Sequence, residues 1–180
     1  MTQPTEIRRD DHQPLLLDLF SCAGGAAMGY TRAGFRVHGC DIAHRPNYPF
    51  PYHQGDALAY LAHLIASGEI HRYAFVHASP PCQDKCTLTV GTNASQGWGG
   101  THVDLVAPTR ALLELTGLPF VIEQPNGRAD IRKDLTLCGE MYGLGVIRHR
   151  KELTEAIPPA YSEYIGRTFR ASCAVSGVAA

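Results

Sequence analysis

Short apolar runs alternate along the chain with stretches of helical spacing. Leu15-Leu16-Leu17-Asp18-Leu19-Phe20 is broken only by Asp18 and runs into Ser21-Cys22-Ala23-Gly24-Gly25. A helix is predicted over Ala26 to Ala33, stopped by Gly34, and a second strand over Phe35 to Cys40, ending at Asp41. Ala57 to Ser67 places Leu58, Leu61, Leu64 and Ile65 on one face of a helix. Tyr73 to Ala78 reads as another buried strand, and Leu118 to Glu123 as a further one. Between these two strands lie a polar, glycine-bearing loop over residues 84–101 and a helix over Val103 to Thr116. That helix contains Pro108, and Gly117 is its expected stop. Residues 130–144 are mixed, and a closing helix is predicted over Ala160 to Ala171, after Pro158-Pro159. Strand, turn and helix in regular alternation predict an α/β chain: a Rossmann-like doubly wound sheet, mostly parallel, with helices on both faces. In such sheets ligands sit at the carboxyl ends of the strands.

Composition adds limits. With 180 residues, one domain over residues 14–180 is expected, after a polar lead over 1–13 that reads as disordered. No apolar run approaches the roughly 20 residues that span a bilayer, and the lead lacks the apolar middle of a signal peptide. No membrane partner and a cytoplasmic location are therefore expected. Sixteen basic and 17 acidic residues leave a net charge of −1, where an autonomous DNA binder usually carries a basic footprint. The six cysteines do not suggest a disulfide framework in a chain of this kind. Cys82 and Cys86 have zinc-like spacing but no second pair to match them, so no metal is expected.

Candidate chemistry falls at the predicted strand ends. The Gly24-Gly25 turn lets a ligand approach the backbone, and the N–H groups opening the next helix favour an anionic group. Asp41, closing the second strand, stands where a carboxylate accepts from ribose hydroxyls in nucleotide-binding sheets. Asp56 is a second such carboxylate, or the N-cap of the helix that starts at Ala57; the two roles are compatible. In Ser79-Pro80-Pro81-Cys82-Gln83 two prolines give a stiff exit from a strand and hold Cys82 at the sheet's edge, as a nucleophile needs. Glu123 closes the strand Phe120-Val121-Ile122 and leads into Gln124-Pro125-Asn126, so its carboxyl group emerges at the same edge.

Taken together, these segments resemble the DNA cytosine-5 methyltransferase family, in particular its short phage or bacterial members, relatives of restriction–modification enzymes. The carrying residues are Asp18 to Gly25, Ser79 to Gln83, Glu123-Gln124-Pro125 and Arg148-His149-Arg150, in that order, and the resemblance covers residues 15–151. The tail Ile157 to Gly166 resembles the C-terminal segment of short members, which packs beside the cofactor loop.

The resemblance implies that S-adenosyl-L-methionine donates a methyl group to carbon 5 of cytosine and leaves as S-adenosyl-L-homocysteine. Asp18, Phe20, Ser21, Ala23, Gly24, Gly25, Asp41, Ile42, Asp56, Ala57 and Pro80 would hold the cofactor. Cys82, Glu123, Arg148 and Arg150 would carry the chemistry. Ser79, Pro81, Gln83, Gln96, Trp98, Gln124 and Pro125 would meet the substrate, with Gln96 or Trp98 filling the space of a flipped base.

The chain departs from the family's pattern in several places. Cys22 stands where members usually have glycine, Gln124-Pro125 replaces Asn-Val, and Val146 stands where a glutamine usually precedes Arg148. A long recognition region normally lies between the Arg-x-Arg segment and the C-terminal segment; here seven residues separate Arg150 from Pro158. The partner is accordingly duplex or single-stranded DNA, read with little specificity or with help from a partner chain or a second copy, or else a small cytosine nucleotide or nucleoside. An inactive remnant that binds the cofactor or a partner chain is the alternative outside enzymes.

Overall fold

The computed structural model describes residues 13–81, 104–125, 134–135 and 157–176. Their elements are β1 (Leu15–Leu19), α1 (Gly25–Arg32), β2 (Arg36–Asp41), β3 (Tyr52–Gln54), α2 (Ala57–Ser67), a 3-10 turn (Glu69–Arg72), β4 (Phe75–Ala78), α3 (Val106–Thr116), β5 (Phe120–Ile122) and α4 (Pro159–Ser176).

Among the described residues the strands form one sheet in the order β3-β2-β1-β4-β5, every pairing parallel. β1 sits at the centre, with Leu15 to Leu19 paired to Arg36 to Cys40 on one side and Leu16 to Leu19 paired to Phe75 to Ala78 on the other. Both sheet faces are covered, which is why β1 reads as a continuous apolar run and not as an alternation. Leu17, Leu19, Cys40, Val76 and Ala78 pack on one face with Leu61 and Leu64 of α2 and Leu113 of α3. Leu16, Val37 and Phe75 pack on the other with Ala26, Ala27 and Tyr30 of α1, and Ile165 and Phe169 of α4 close that layer. The doubly wound, Rossmann-like sheet expected from the sequence is therefore present.

Several boundaries and two elements differ from expectation. β3, only three residues long, was missed: Tyr52-His53-Gln54 is too short to show a period, and it forms because its backbone can extend the edge of β2. The 3-10 turn after Gly68 was also missed, and it shortens the strand predicted from Tyr73 to Phe75–Ala78. β5 is confined to Phe120–Ile122. On α2, Leu61 and Leu64 are buried while Leu58 and Ile65 are only half-buried. α3 starts at Val106 with Pro108 in its first turn, where a missing N–H costs nothing, and ends at Gly117 in the left-handed conformation (φ +67°). α4 begins one residue earlier and runs five residues longer than predicted.

α4 returns to lie along α1, the helix that follows the turn after β1, where the resemblance implied packing beside the cofactor loop itself. The approach is close: a Cβ at Gly29 would stand 2.0 Å from the Pro159 carbonyl oxygen and 2.1 Å from Ser162 Oγ. The Ser162 hydroxyl donates to the Ala26 carbonyl at 2.8 Å. Arg170 donates to the carbonyls of Ala33 and Gly34 at the far end of α1. Among the described residues no helix is long and apolar enough to cross a membrane.

Candidate active site

The parallel order puts the carboxyl ends of all five strands along one edge. Strands on either side of β1–β4 are wound in opposite directions, so the crevice for a ligand opens there. The turn after β1 forms one wall. Its ladder continues one residue past the strand, with the Ser21 N–H donating to the Cys40 carbonyl at 3.0 Å, and Gly24 N–H then closes a tight turn on the Ser21 carbonyl at 2.9 Å. Phe20 (φ +60°), Cys22 (φ +45°) and Gly24 (φ +85°) all adopt the left-handed conformation. For the two non-glycine residues this is strained backbone, of a kind that persists only where surrounding structure enforces it. α1 starts at Gly25 with neither a side-chain cap nor an acidic residue in its first turn. Its first N–H groups therefore suit an anionic group such as an amino-acid carboxylate.

Asp41 enforces part of the strain. Its Oδ2 accepts from the Cys22 N–H at 2.8 Å, its Oδ1 from the Ala43 N–H at 2.9 Å, and Arg45 Nε lies 3.2 Å from Oδ1. The next residue, Ile42, is 71% exposed, an apolar side chain presented at the edge. Gly55 N–H donates to the Asp41 carbonyl at 3.0 Å, which brings the β3 end alongside. Asp56 is the N-cap of α2, accepting from the Ala59 N–H at 2.8 Å, and it remains exposed; Ala57 behind it is buried.

β4 and β5 form the other wall. Ser79 ties it to the first: its N–H donates to the Leu19 carbonyl at 3.2 Å and its hydroxyl to the Phe20 carbonyl at 3.3 Å. Pro80 is buried and Pro81 exposed. Glu123 N–H donates to the Ala78 carbonyl at 2.9 Å, so the glutamate stands beside the start of the Ser79-Pro80-Pro81 exit. Burial pushes its carboxyl group up to about 7, poised between neutral acid and carboxylate near neutral pH. The Gln124 amide donates to the Pro80 carbonyl at 2.6 Å, while Pro125 is half-buried beyond it.

The edge thus gathers Phe20, Ser21, Ala23, Gly24, Gly25, Asp41, Ile42, Asp56, Ala57, Ser79, Pro80, Pro81, Glu123, Gln124 and Pro125. Asp18 is not among them. Its side chain is 0% exposed on the α1/α4 face, so it presents no surface for a cofactor to touch. Burial, lessened by the Tyr48 hydrogen bond and reinforced by Asp41, pushes it up to about 8, and it is a neutral acid at pH 7. Cys82, Gln83, Gln96, Trp98, Arg148 and Arg150 lie outside the described residues.

Two buried side chains near Asp18 were not singled out from the sequence. His77, opposite Asp18 in the β1–β4 register, is 1% exposed, and burial holds its imidazole down at about 4. Its Nδ1 is 3.0 Å from the Tyr30 hydroxyl on α1. Tyr48 reaches Asp18 from the β2–β3 connection. A histidine inside the strand Phe75-Val76-His77-Ala78 was a visible signal; Tyr48 had none, because its loop shows no periodicity.

What the site defines is a Rossmann-like α/β edge with a strained, glycine-bearing turn, two acidic strand ends and a raised glutamate beside a proline-stiffened exit. No protein-family profile matches the chain. No curated protein matches it either. Among solved structures it is similar to one described as a candidate DNA modification methyltransferase encoded within a prophage, from E. coli, with 19% identity and a TM-score of 0.36. The match covers 58% of this chain and 38% of that one.

Proposed function

We propose that the chain transfers a methyl group from S-adenosyl-L-methionine to carbon 5 of cytosine in DNA, through a covalent adduct between Cys82 and carbon 6. The observation that carries this reading is the pairing of β4 with β5. It sets Glu123 beside Ser79-Pro80-Pro81, whose next residue is the cysteine, and both lie across from the turn after β1.

The cofactor supplies an electrophilic methyl group when bound. The uncapped start of α1, Asp41, exposed Ile42 and Asp56 fit an amino-acid carboxylate, a ribose, an adenine face and an adenine amine respectively. Cytosine carbon 5 is a weak nucleophile. Addition of the Cys82 thiolate to carbon 6 moves electron density onto carbon 5. Glu123, held near pKa 7, donates to ring nitrogen N3 and accepts from the exocyclic amine, which stabilises the negative charge that builds on the ring. After carbon 5 is methylated, loss of its proton to a base restores the double bond and expels the thiolate. Arg148 and Arg150 are assigned to the base carbonyl or a nearby phosphate and to lowering the thiol pKa.

A second reading, methylation of a free cytosine nucleotide, is favoured by the seven residues between Arg150 and Pro158 and by the net charge of −1. Neither provides a base-reading surface. Label transfer from S-adenosyl-L-methionine to duplex DNA, single-stranded DNA, dCMP and cytidine separates the two. Label on DNA supports the first; label on the nucleotide alone supports the second; label on none removes both.

A further inference from the structure

The strained turn after β1 has a second restraint besides Asp41. Tyr48 leaves the β2–β3 connection, residues 42–51, and its ring enters the α1/α4 layer, where it is 8% exposed. Two glycines make room for it. A Cβ at Gly24 would lie 3.1 Å from the ring carbons Cδ2 and Cε2, and one at Gly39 would lie 2.4 Å from the hydroxyl oxygen. That hydroxyl donates to Asp18 Oδ2 at 3.5 Å. Phe50 and Tyr52 pack on the ring with centroids 5.8 and 5.6 Å away. The ring therefore touches β2 at Gly39, β1 at Asp18 and the turn at Gly24.

A turn with left-handed residues at Phe20, Cys22 and Gly24 does not hold its shape unaided. Asp41 fixes it at Cys22. Nothing in Tyr48's position suggests a ligand contact, since it lies under the turn with its hydroxyl turned into the core. We infer that Tyr48 is a positioning residue: its ring braces Gly24, and so the start of α1, in the conformation that receives the cofactor. The inference rests on the methyltransferase reading for the identity of that cofactor.

The test is calorimetric binding of S-adenosyl-L-homocysteine to the wild-type chain, Tyr48→Leu, Tyr48→Phe and Gly39→Ala, well below each melting temperature, with thermal melting in parallel. Tyr48→Leu and Gly39→Ala should weaken binding about tenfold or more, because 1.4 kcal/mol of lost bracing is a factor of ten. Tyr48→Phe keeps the ring and should stay within about threefold. The Gly39→Ala/Tyr48→Leu double variant should bind no more weakly than Tyr48→Leu, since both changes act on one contact. A folded Tyr48→Leu that binds like the wild type overturns the inference. If Tyr48→Leu does not fold, unchanged binding by Gly39→Ala does so. A wild-type chain that binds neither S-adenosyl-L-methionine nor its product removes the methyltransferase reading and the inference together.

Discussion

The side-chain amide of Gln124 donates to the backbone carbonyl of Pro80 at 2.6 Å, tying the exit of β5 to the proline turn that carries the candidate nucleophile. Glu123 precedes one of these residues and Cys82 follows two after the other in the sequence, so in the proposed mechanism this bond couples the segment that bears the acid to the segment that leads to the thiol. Gln124→Leu should therefore lower the rate of methyl transfer about tenfold or more, a cost typical of slight misplacement, and leave cofactor affinity unchanged. Single-turnover rates alongside cofactor titration check this.

Glu123 yields a pH prediction. In the proposed mechanism its protonated form donates to the base, and burial raises it from the ordinary 4.5 to about 7. The pH profile of kcat/KM, which reports the free enzyme, should fall on the alkaline side of a midpoint near 7, opposing the rise from thiolate formation. Glu123→Gln should remove that alkaline fall and reduce the rate by about 10²-fold, the usual scale for one lost stabilising group. Rates between pH 6 and 9 for both proteins decide it.

Asp18 governs stability instead. Its folded value of about 8 lies above the ordinary 3.8, so the stability it contributes is full below about 4 and is lost as pH rises toward 8. Asp18→Asn keeps the shape and the Tyr48 partner but cannot ionise. Its advantage over wild type should grow from pH 5 to pH 8, by at most about 4 kcal/mol at 1.36 kcal/mol per unit. Denaturant unfolding at the two pH values measures it.

Cys22 stands in the left-handed region at φ +45°. Cys22→Gly removes that strain, roughly offset by the entropy glycine loses on folding, and should change stability by less than about 1 kcal/mol. Cys22→Val, branched at Cβ, should destabilise by about 2 kcal/mol. Melting temperatures of the two variants, compared with wild type, test the conformation directly.

The α1–α4 contact makes the last structural prediction. A Cβ at Gly29 meets the backbone of Pro159 and Glu163, which cannot step aside as a flexible side chain would. Gly29→Ala should cost about 1–3 kcal/mol, the range for overpacking a close contact. Denaturant unfolding of this variant checks it.

The fold was readable in the sequence where burial on both sheet faces wrote itself as unbroken apolar runs, as in Leu15 to Leu19 and Phe75 to Ala78. It was not readable at Tyr52–Gln54, where a three-residue strand is held by its neighbour's backbone and not by any pattern of its own. The edge residues were legible because each sits where a strand meets a turn, at Asp41, Ser79 and Glu123. The layer beneath was not. Asp18 and His77 are brought side by side by the β1–β4 pairing, and Tyr30 and Tyr48 join them only through the packing of α1 and the β2–β3 connection. Asp18 shows the limit well: the motif that contains it points to the cofactor, while the fold turns its side chain into the core.

The central claim is a covalent bond between Cys82 and carbon 6 of cytosine. Replacing the carbon 5 hydrogen with fluorine leaves no proton to lose after methylation, so the adduct should persist. The deciding measurement is the intact mass of the protein after incubation with S-adenosyl-L-methionine and 5-fluorocytosine, offered both in DNA and as the free nucleotide. The account predicts a mass increase equal to the methylated substrate in the wild-type chain and none in Cys82→Ser. An unshifted wild-type mass alongside active methyl transfer, or a shift that survives Cys82→Ser, would contradict it.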